Sequence, residues 1–408
     1  MTRHKPDYLI FFLAVTLTAI GLVWVYSASY PRAAARSAEQ WQVENLHQAA
    51  EESPTPSLLN NARRQGVFAL KHAGFAIVGM LLLVGAVLLS PDALRSTRLG
   101  WAGVIVTIVL LGLTYTGLGS SSSTFAHRWL TIGPLTIQPS EFAKITLVVF
   151  LAQQIAHARG QLNDRQWLVP RLLTVGGVMA MVLMQPHLGG TAMLALSVTA
   201  ILFVAGLSGR NWTIIGLVLA LGLCGTLILK PYQVERLTSF INPLEDPEGS
   251  GMQIIRAGTA LSRGGLSGRG LGRSIEKFDW LPECHSDSIF AIIGEETGLL
   301  GTLTLLTLLL LLGGAGMRVA AGRPDALGRL LAVGLTTGLV GQGLYNIGVT
   351  SGLFPQTGVG LPFISYGGTS LLVSLTAVGL LLNLSCYTTE PETPRETGWS
   401  PNDSKGRR

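Results

Sequence analysis

Ten separate apolar runs, each close to the length a helix needs to cross a bilayer, dominate this 408-residue chain. They fall near residues 8–28, 67–89, 101–118, 140–157, 171–186, 190–207, 212–229, 288–315, 327–350 and 366–386, against the roughly 20 residues that span the hydrocarbon core. No water at that depth satisfies backbone N–H and C=O groups, so each run has to close its hydrogen bonds internally as a helix. The expected fold class is therefore all-α: a polytopic membrane protein of about ten transmembrane helices, with a large extracytoplasmic loop between helices 7 and 8. Composition agrees, since 13% of residues are charged and the mean hydropathy is +0.45, where soluble domains carry roughly 25% charge. The first run passes into Val25-Tyr26-Ser27-Ala28-Ser29 with no small-residue cleavage site, so it reads as a span and not a cleaved leader.

Lys and Arg in short loops favour the cytoplasm. Arg3 and Lys5, Arg95 and Arg98, Arg159 to Arg171, Arg210, Arg318 to Arg329 and the basic tail all fall on one side of the ten-span scheme. Both termini are expected in the cytoplasm, and the long segments at 30–66, 119–140, 230–287 and 351–365 outside. The membrane unit covers 1–388, with 389–408 a disordered cytoplasmic tail; loop one, 30–66, is either a short surface helix or disordered. The net charge of +6 is thus a topology signal. Nucleic acid is excluded as a partner because no soluble module offers a basic face. Of three cysteines only Cys284 is expected to face outward, which excludes an outward disulfide within the chain.

Ionisable groups at membrane depth are expensive and usually functional. Span four opens Gln138-Pro139-Ser140-Glu141-Phe142-Ala143-Lys144, where Ser140 can cap the helix and Glu141 and Lys144 share a face. The pair is either a plain intrahelical ion pair or part of a substrate site. Arg128 beside Trp129 can hold phosphate through paired N–H donors, although Trp129 alone would suit an interface anchor. Span eight opens with His285, Ser286, Asp287 and Ser288 and continues through Glu295 and Glu296. Asp287 sits at the mouth, favoured by the helix dipole, unless Ser286 or Asp287 is only an N-cap. Glu295 lies about 12 Å deeper on a helix rising 1.5 Å per residue, so it must face protein or water. The preceding loop interleaves Arg256, Arg263, Arg269 and Arg273 with Gly264-Gly265, Gly268, Gly270 and Gly272, backbone that could approach phosphate closely. The apolar yet helix-hostile segment 352–368 belongs on a cavity wall.

These stretches, in this order, resemble the SEDS family (shape, elongation, division and sporulation) of FtsW, RodA and SpoVE, over nearly the whole chain. The resemblance rests on Pro6-Asp7, Val25 to Ser29, Arg128-Trp129, Gln138 to Lys144, Arg236-Leu237, Asn242-Pro243, Gln253, Gly264-Gly265, Gly270 to Gly272, Leu281 to Asp287, Gly294 to Glu296 and Leu361 to Gly368. The Leu281-Pro282-Glu283-Cys284-His285 run is nearer the FtsW and SpoVE branches. The resemblance implies a glycosyltransferase that joins the disaccharide-pentapeptide units of lipid II, releases undecaprenyl pyrophosphate, and works with a class B penicillin-binding protein and other division or elongation proteins in the membrane. It maps the essential aspartate onto Asp287. Arg128, Glu141, Lys144, Gln253, His285, Glu295 and Glu296 are then expected to line the sugar and pyrophosphate site, with Lys144 and Arg128, or a divalent cation such as Mg2+, on the leaving group. Departures are His187 where the family usually has Asp, Ser288 for Phe, Ser286 for Thr, and a longer loop one. His187 is either a polar substitute, cationic in one form, or a mark of reduced activity. The competing functions are a lipid II flippase and a weakly active scaffold that recruits a transpeptidase.

Overall fold

The apolar runs become helices, and a break in one of them decides the shape of the outward side. The structure is a computed structural model that describes residues 5–45, 58–116, 119–122, 126–133, 135–158, 160–229, 231–247, 249–278, 281 and 284–387. The helices are α1 (Tyr8–Asn45), α2 (Leu58–Leu88), α3 (Pro91–Arg95), α4 (Thr97–Leu113), α5 (Pro139–Ala156), α6 (Arg165–Met184), α7 (Leu188–Val204), α8 (Gly209–Leu229), α9 (Pro231–Ile241), α10 (Met252–Gly264), α11 (Ile289–Gly322), α12 (Ala326–Thr350) and α13 (Gly368–Ser385). Each of the ten apolar runs lies on its own helix. Six of these helices, α1, α2, α6, α11, α12 and α13, are long and apolar enough to cross a membrane, and α4 and α7 are shorter apolar helices.

α12 and α13 form the centre. Within their most apolar stretches 67% and 78% of residues are buried, against 28% for α2 and α6, whose apolar surface is left for lipid. The helix ends are closed by side chains. Asp7 Oδ1 accepts the Leu9 N–H at the start of α1 at 2.9 Å, and Asn383 Nδ2 reaches the carbonyls of Val87 and Leu89 after α2 at 2.9 and 2.8 Å. Such partners matter where no water replaces them.

Two features depart from the sequence expectation. Loop one holds no separate surface helix among the described residues: α1 runs on to Asn45 and α2 already begins at Leu58, while 46–57 lie outside the described residues, as does the tail 389–408. The segment 119–137 folds into a small antiparallel sheet, β1 (Gly119–Ser122), β2 (Ala126–Ile132) and β3 (Leu135–Ile137), in the order β1-β2-β3. Its register pairs Leu130 with both Gly119 and Ile137. Arg128 stands at a bulge of β2, between Trp129, which pairs with Ser120, and His127, which pairs with Ser121, and two residues before the fully buried Leu130.

The third feature is the break in α11. Gly298 has φ 68° and ψ −164° inside the helix, a conformation only glycine adopts readily. The ladder that fails there is replaced by the loop after α10. Leu299 and Leu300 N–H donate to the carbonyls of Gly265 and Leu266 at 2.9 and 3.2 Å, and Arg269 and Gly270 N–H donate to those of Glu295 and Glu296 at 3.0 and 2.9 Å. A Cβ on Gly268 would stand 2.2 Å from the Glu296 carbonyl oxygen. Gly264, Gly265 and Gly268 therefore serve the approach of backbone to a broken helix.

Candidate functional site

The break fixes the large loop, and the loop and its neighbours place Asp287. Ser288, not Ser286 or Asp287, is the N-cap of α11, and its side chain makes no capping bond. Plain capping does not account for the carboxylate. Asp287 instead lines a small cleft with Gln253, Ser288, Asn346, Gln356, Thr357 and Gly358. Gln253 Nε2 donates to Ser288 Oγ at 2.8 Å. The helix-hostile segment forms one wall, as its composition suggested. Gly358, at φ +69°, brings that wall so close that an added Cβ would lie 3.3 Å from Asp287 Oδ2 and 3.9 Å from Arg128 Nη1. The carboxylate and the guanidinium thus bracket one point of the cleft. Below it the wall continues as 361–366, stitched to the segment bearing the aspartate: Ser365 Oγ donates to the Ser286 carbonyl at 2.6 Å, and Tyr366 N–H to that of His285 at 2.9 Å. His285 is buried with its ring 5.6 Å from that of Tyr366, so it supports the wall.

Two cations stand beside this point, and a third borders a neighbouring cleft. Arg128 Nε donates to the Gln185 carbonyl at 3.0 Å and its Nη2 to that of Pro186. Arg236 Nη1, from α9, donates to the Gln356 carbonyl at 3.1 Å. Lys144 Nζ donates to Glu141 Oε1 at 2.7 Å and to Gln342 Oε1 at 2.6 Å. The Lys144–Glu141 pair is therefore the intrahelical ion pair, nearly buried, and it also borders a second cleft with Ser197 and Gln342. Ser140 does not cap: Gln138 is the N-cap, Pro139 takes the first turn, and Ser140 Oγ is buried without a partner.

His187 sits at the N-terminus of α7, 3% exposed. Burial first, then the charges of Arg128, Lys144 and Arg236, hold its pKa down at about 3. These causes favour the neutral form of His187, whose ring lies 3.5 Å from Gln138 Nε2. Among the described residues no group of three or more His, Cys, Asp or Glu able to hold a metal gathers.

Glu295 and Glu296 do not join the cleft. Glu295 accepts from Ser274 Oγ at 2.5 Å and from the N–H groups of Ile275 and Glu276 at 3.0 and 3.3 Å. Glu296 Oε1 accepts from Lys277 Nζ at 3.1 Å and from Ser27 Oγ at 2.8 Å. Both are essentially unexposed, and they tie the base of the large loop to α1. Cys284, expected to face outward, is buried with Sγ 3.7 Å from the Ala28 carbonyl.

Two residues were missed. Gln342 and Asn346 stand one turn apart on α12 and link the two halves of the site. Gln342 holds Lys144 and donates to the Gly360 carbonyl at 2.8 Å. Asn346 Nδ2 donates to the carbonyls of Asp287 and Val359 at 2.8 and 2.7 Å. Their signal was present, since amides four apart in an apolar span seldom face lipid.

The family described as Cell cycle protein, FTSW_RODA_SPOVE, matches residues 55–390. The chain belongs to this family. It is 36% identical to the stage V sporulation protein E of Bacillus subtilis (strain 168), over 95% of this chain and 99% of that one. It is 33% identical to a probable peptidoglycan glycosyltransferase FtsW of Geobacter sp. (strain M18), over 93% and 96%. Among solved structures it resembles the rod shape determining protein RodA of Thermus thermophilus, with a TM-score of 0.63 and 26% identity over 94% of this chain and 98% of that one. It also resembles a chain of a peptidoglycan synthase complex solved to explain how polymerization and crosslinking are coordinated, with a TM-score of 0.69 and 28% identity over 93% and 97%. The family fold is thus a polytopic membrane fold, and the Asp287 cleft, the Lys144 pair and the broken α11 all lie within the matched residues.

Proposed function

We propose that this chain is a peptidoglycan glycosyltransferase that polymerises lipid II into glycan strands during division or cell-shape maintenance. The observation that carries this reading is the placement of the Asp287 carboxylate and the Arg128 guanidinium about one point of a cleft rimmed by further cations. Glycosidic bond formation needs a base for the acceptor hydroxyl and positive charge where the leaving group departs. Asp287 takes the hydroxyl proton as the new C–O bond forms. The anomeric C–O bond to the lipid breaks, and its electron pair leaves with undecaprenyl pyrophosphate. Arg128 and Arg236 face that developing charge, with Lys144 beneath them; Gln253 and Asn346 hold the cleft around the base.

In this reading the chain makes ten spans with both termini cytoplasmic, and the cleft opens on the extracytoplasmic side, where the short basic loops leave it. The partner is a class B penicillin-binding protein that crosslinks the new strand; the similarity to a chain from a polymerising and crosslinking complex supports it. The names of the similar FtsW proteins support the reaction. The test is polymerisation of labelled lipid II by purified protein, with and without the transpeptidase. Glycan strands of many units are the expected product. Transbilayer movement of lipid II without polymer would establish a flippase, and inactivity under both conditions a scaffold.

A further inference from the structure

Two amphipathic helices stand in the large loop and treat their apolar faces in opposite ways. α10 hides its small apolar residues, burying Ala257 and Ala260 where it packs on α11, and turns Ser262 and Arg263 outward. α9 is turned inside out. Gln233 and Ser239 are buried on its inner face, Ser239 Oγ bonds Ser250 Oγ at 2.7 Å, and Arg236 reaches the cleft wall at Gln356. Its outer face carries Val234, Leu237 and Ile241, exposed by 42%, 39% and 74%, and Leu244 follows in the next turn at 75%. Positions 234, 237 and 241 follow one stripe of a helix. A stripe of such side chains in water would be costly.

What covers the stripe follows from where α9 begins. α8 is 21 residues long, enough to cross the hydrocarbon core. It leaves Ile214, Leu217 and Val218 exposed by 46%, 62% and 62%, as a lipid-facing helix does. One residue separates its end at Leu229 from Pro231, the first residue of α9. A helix that starts as its predecessor leaves the hydrocarbon starts at the membrane boundary. We infer that α9 is an interfacial helix whose stripe, Val234, Leu237, Ile241 and Leu244, is seated in the acyl boundary of the adjacent leaflet. The stripe contains no Lys or Arg, so its seat does not depend on anionic lipid. The opposite face carries Arg236 to the wall of the Asp287 cleft, which makes the leaflet part of what positions that cation. The inference does not depend on which reaction the cleft performs.

The test uses the full chain in nanodiscs of phosphatidylcholine alone, with Cys224, Cys284 and Cys386 replaced by Ala and one nitroxide at Val234, Leu237 or Ile241, or at Glu235 as reference. Interfacial helices bury their apolar face about 5–10 Å into the headgroup and acyl boundary. The three stripe labels should collide preferentially with oxygen, and the label at 235 with a water-soluble nickel chelate. Equal nickel collision at all four positions would overturn the inference in favour of an aqueous surface. Suppression of both collisions at the stripe, in the chain alone or only when a transpeptidase is added, would overturn it in favour of a protein contact. A second measurement keeps the cysteines native: in Ile241→Trp, brominated phosphatidylcholine should quench the added emission relative to the parent chain, and unchanged emission would overturn the inference should the cysteine-free chain fail to fold.

Discussion

Asp287 stands just before α11 and the Glu295–Glu296 pair on it, within ten residues of each other, yet the protein uses them in opposite ways. Around Asp287 the neighbouring backbone is held by others: its carbonyl by Asn346, and the wall in front of it by Ser365 and Tyr366. The carboxylate lines a cleft whose wall at Gly358 also approaches Arg128. Around Glu295 and Glu296 the carboxylates themselves are the anchors, bonded to Ser274, Ile275, Glu276, Lys277 and Ser27. Acidity at membrane depth therefore does not by itself mark a reacting group. What separates the two is their place: Asp287 lines the cleft, whereas Glu295 and Glu296 are buried in the base of the large loop.

This contrast can be broken from either side. The largest effect is expected on stability. Lys277→Met leaves Glu296 buried without its cation, and loss of one partner of a buried pair costs about 3–5 kcal/mol. Thermal denaturation in detergent should show that loss while the remaining folded protein polymerises at the parental rate; full stability with lost turnover would make Glu296 a site residue after all. A smaller change is expected from Asn346→Ala. It leaves the Asp287 and Val359 carbonyls unpaired at about 1–3 kcal/mol, and lower kcat with little change in KM would mark it as a positioning residue of the cleft. Smaller again is the effect of His187. Its folded pKa of about 3 lies below the unfolded value near 6.5, so the unfolded chain binds the proton first and stability falls as pH drops through the window from about 6.5 to 3. Between pH 7.5 and 5.5 the parent should lose about 1.4 kcal/mol that His187→Gln keeps, since one unit of pKa difference is worth that much. Parallel melting curves for the two proteins would refute the neutral, buried ring.

The span-level fold was legible because lipid allows so few solutions: runs of about 20 apolar residues had to become helices. Lys144 stood out as an ionisable group at membrane depth, Asp287 as a carboxylate at a helix mouth and Arg128 as a cation beside an interfacial Trp, whereas Gln253 was marked only by the family resemblance. The small sheet carrying Arg128 was not, because three strands of three to seven residues leave too short a period to read. Gln342 and Asn346 were absorbed into an apolar run, although their spacing placed them on one face. The pairing of the glycine loop with the helix after Glu295–Glu296 was not legible, because composition showed unusual backbone and buried charge, and only the break at Gly298 shows that they answer each other.

The most direct measurement compares Asp287→Asn with Glu295→Gln, each purified, scored for folded protein and assayed for lipid II polymerisation. Removal of a general base costs about 10²–10⁴-fold, so Asp287→Asn should fold normally and lose at least a hundredfold of its rate, whereas Glu295→Gln should melt earlier and keep its rate per folded molecule. Polymerisation by Asp287→Asn at the parental rate would contradict the account.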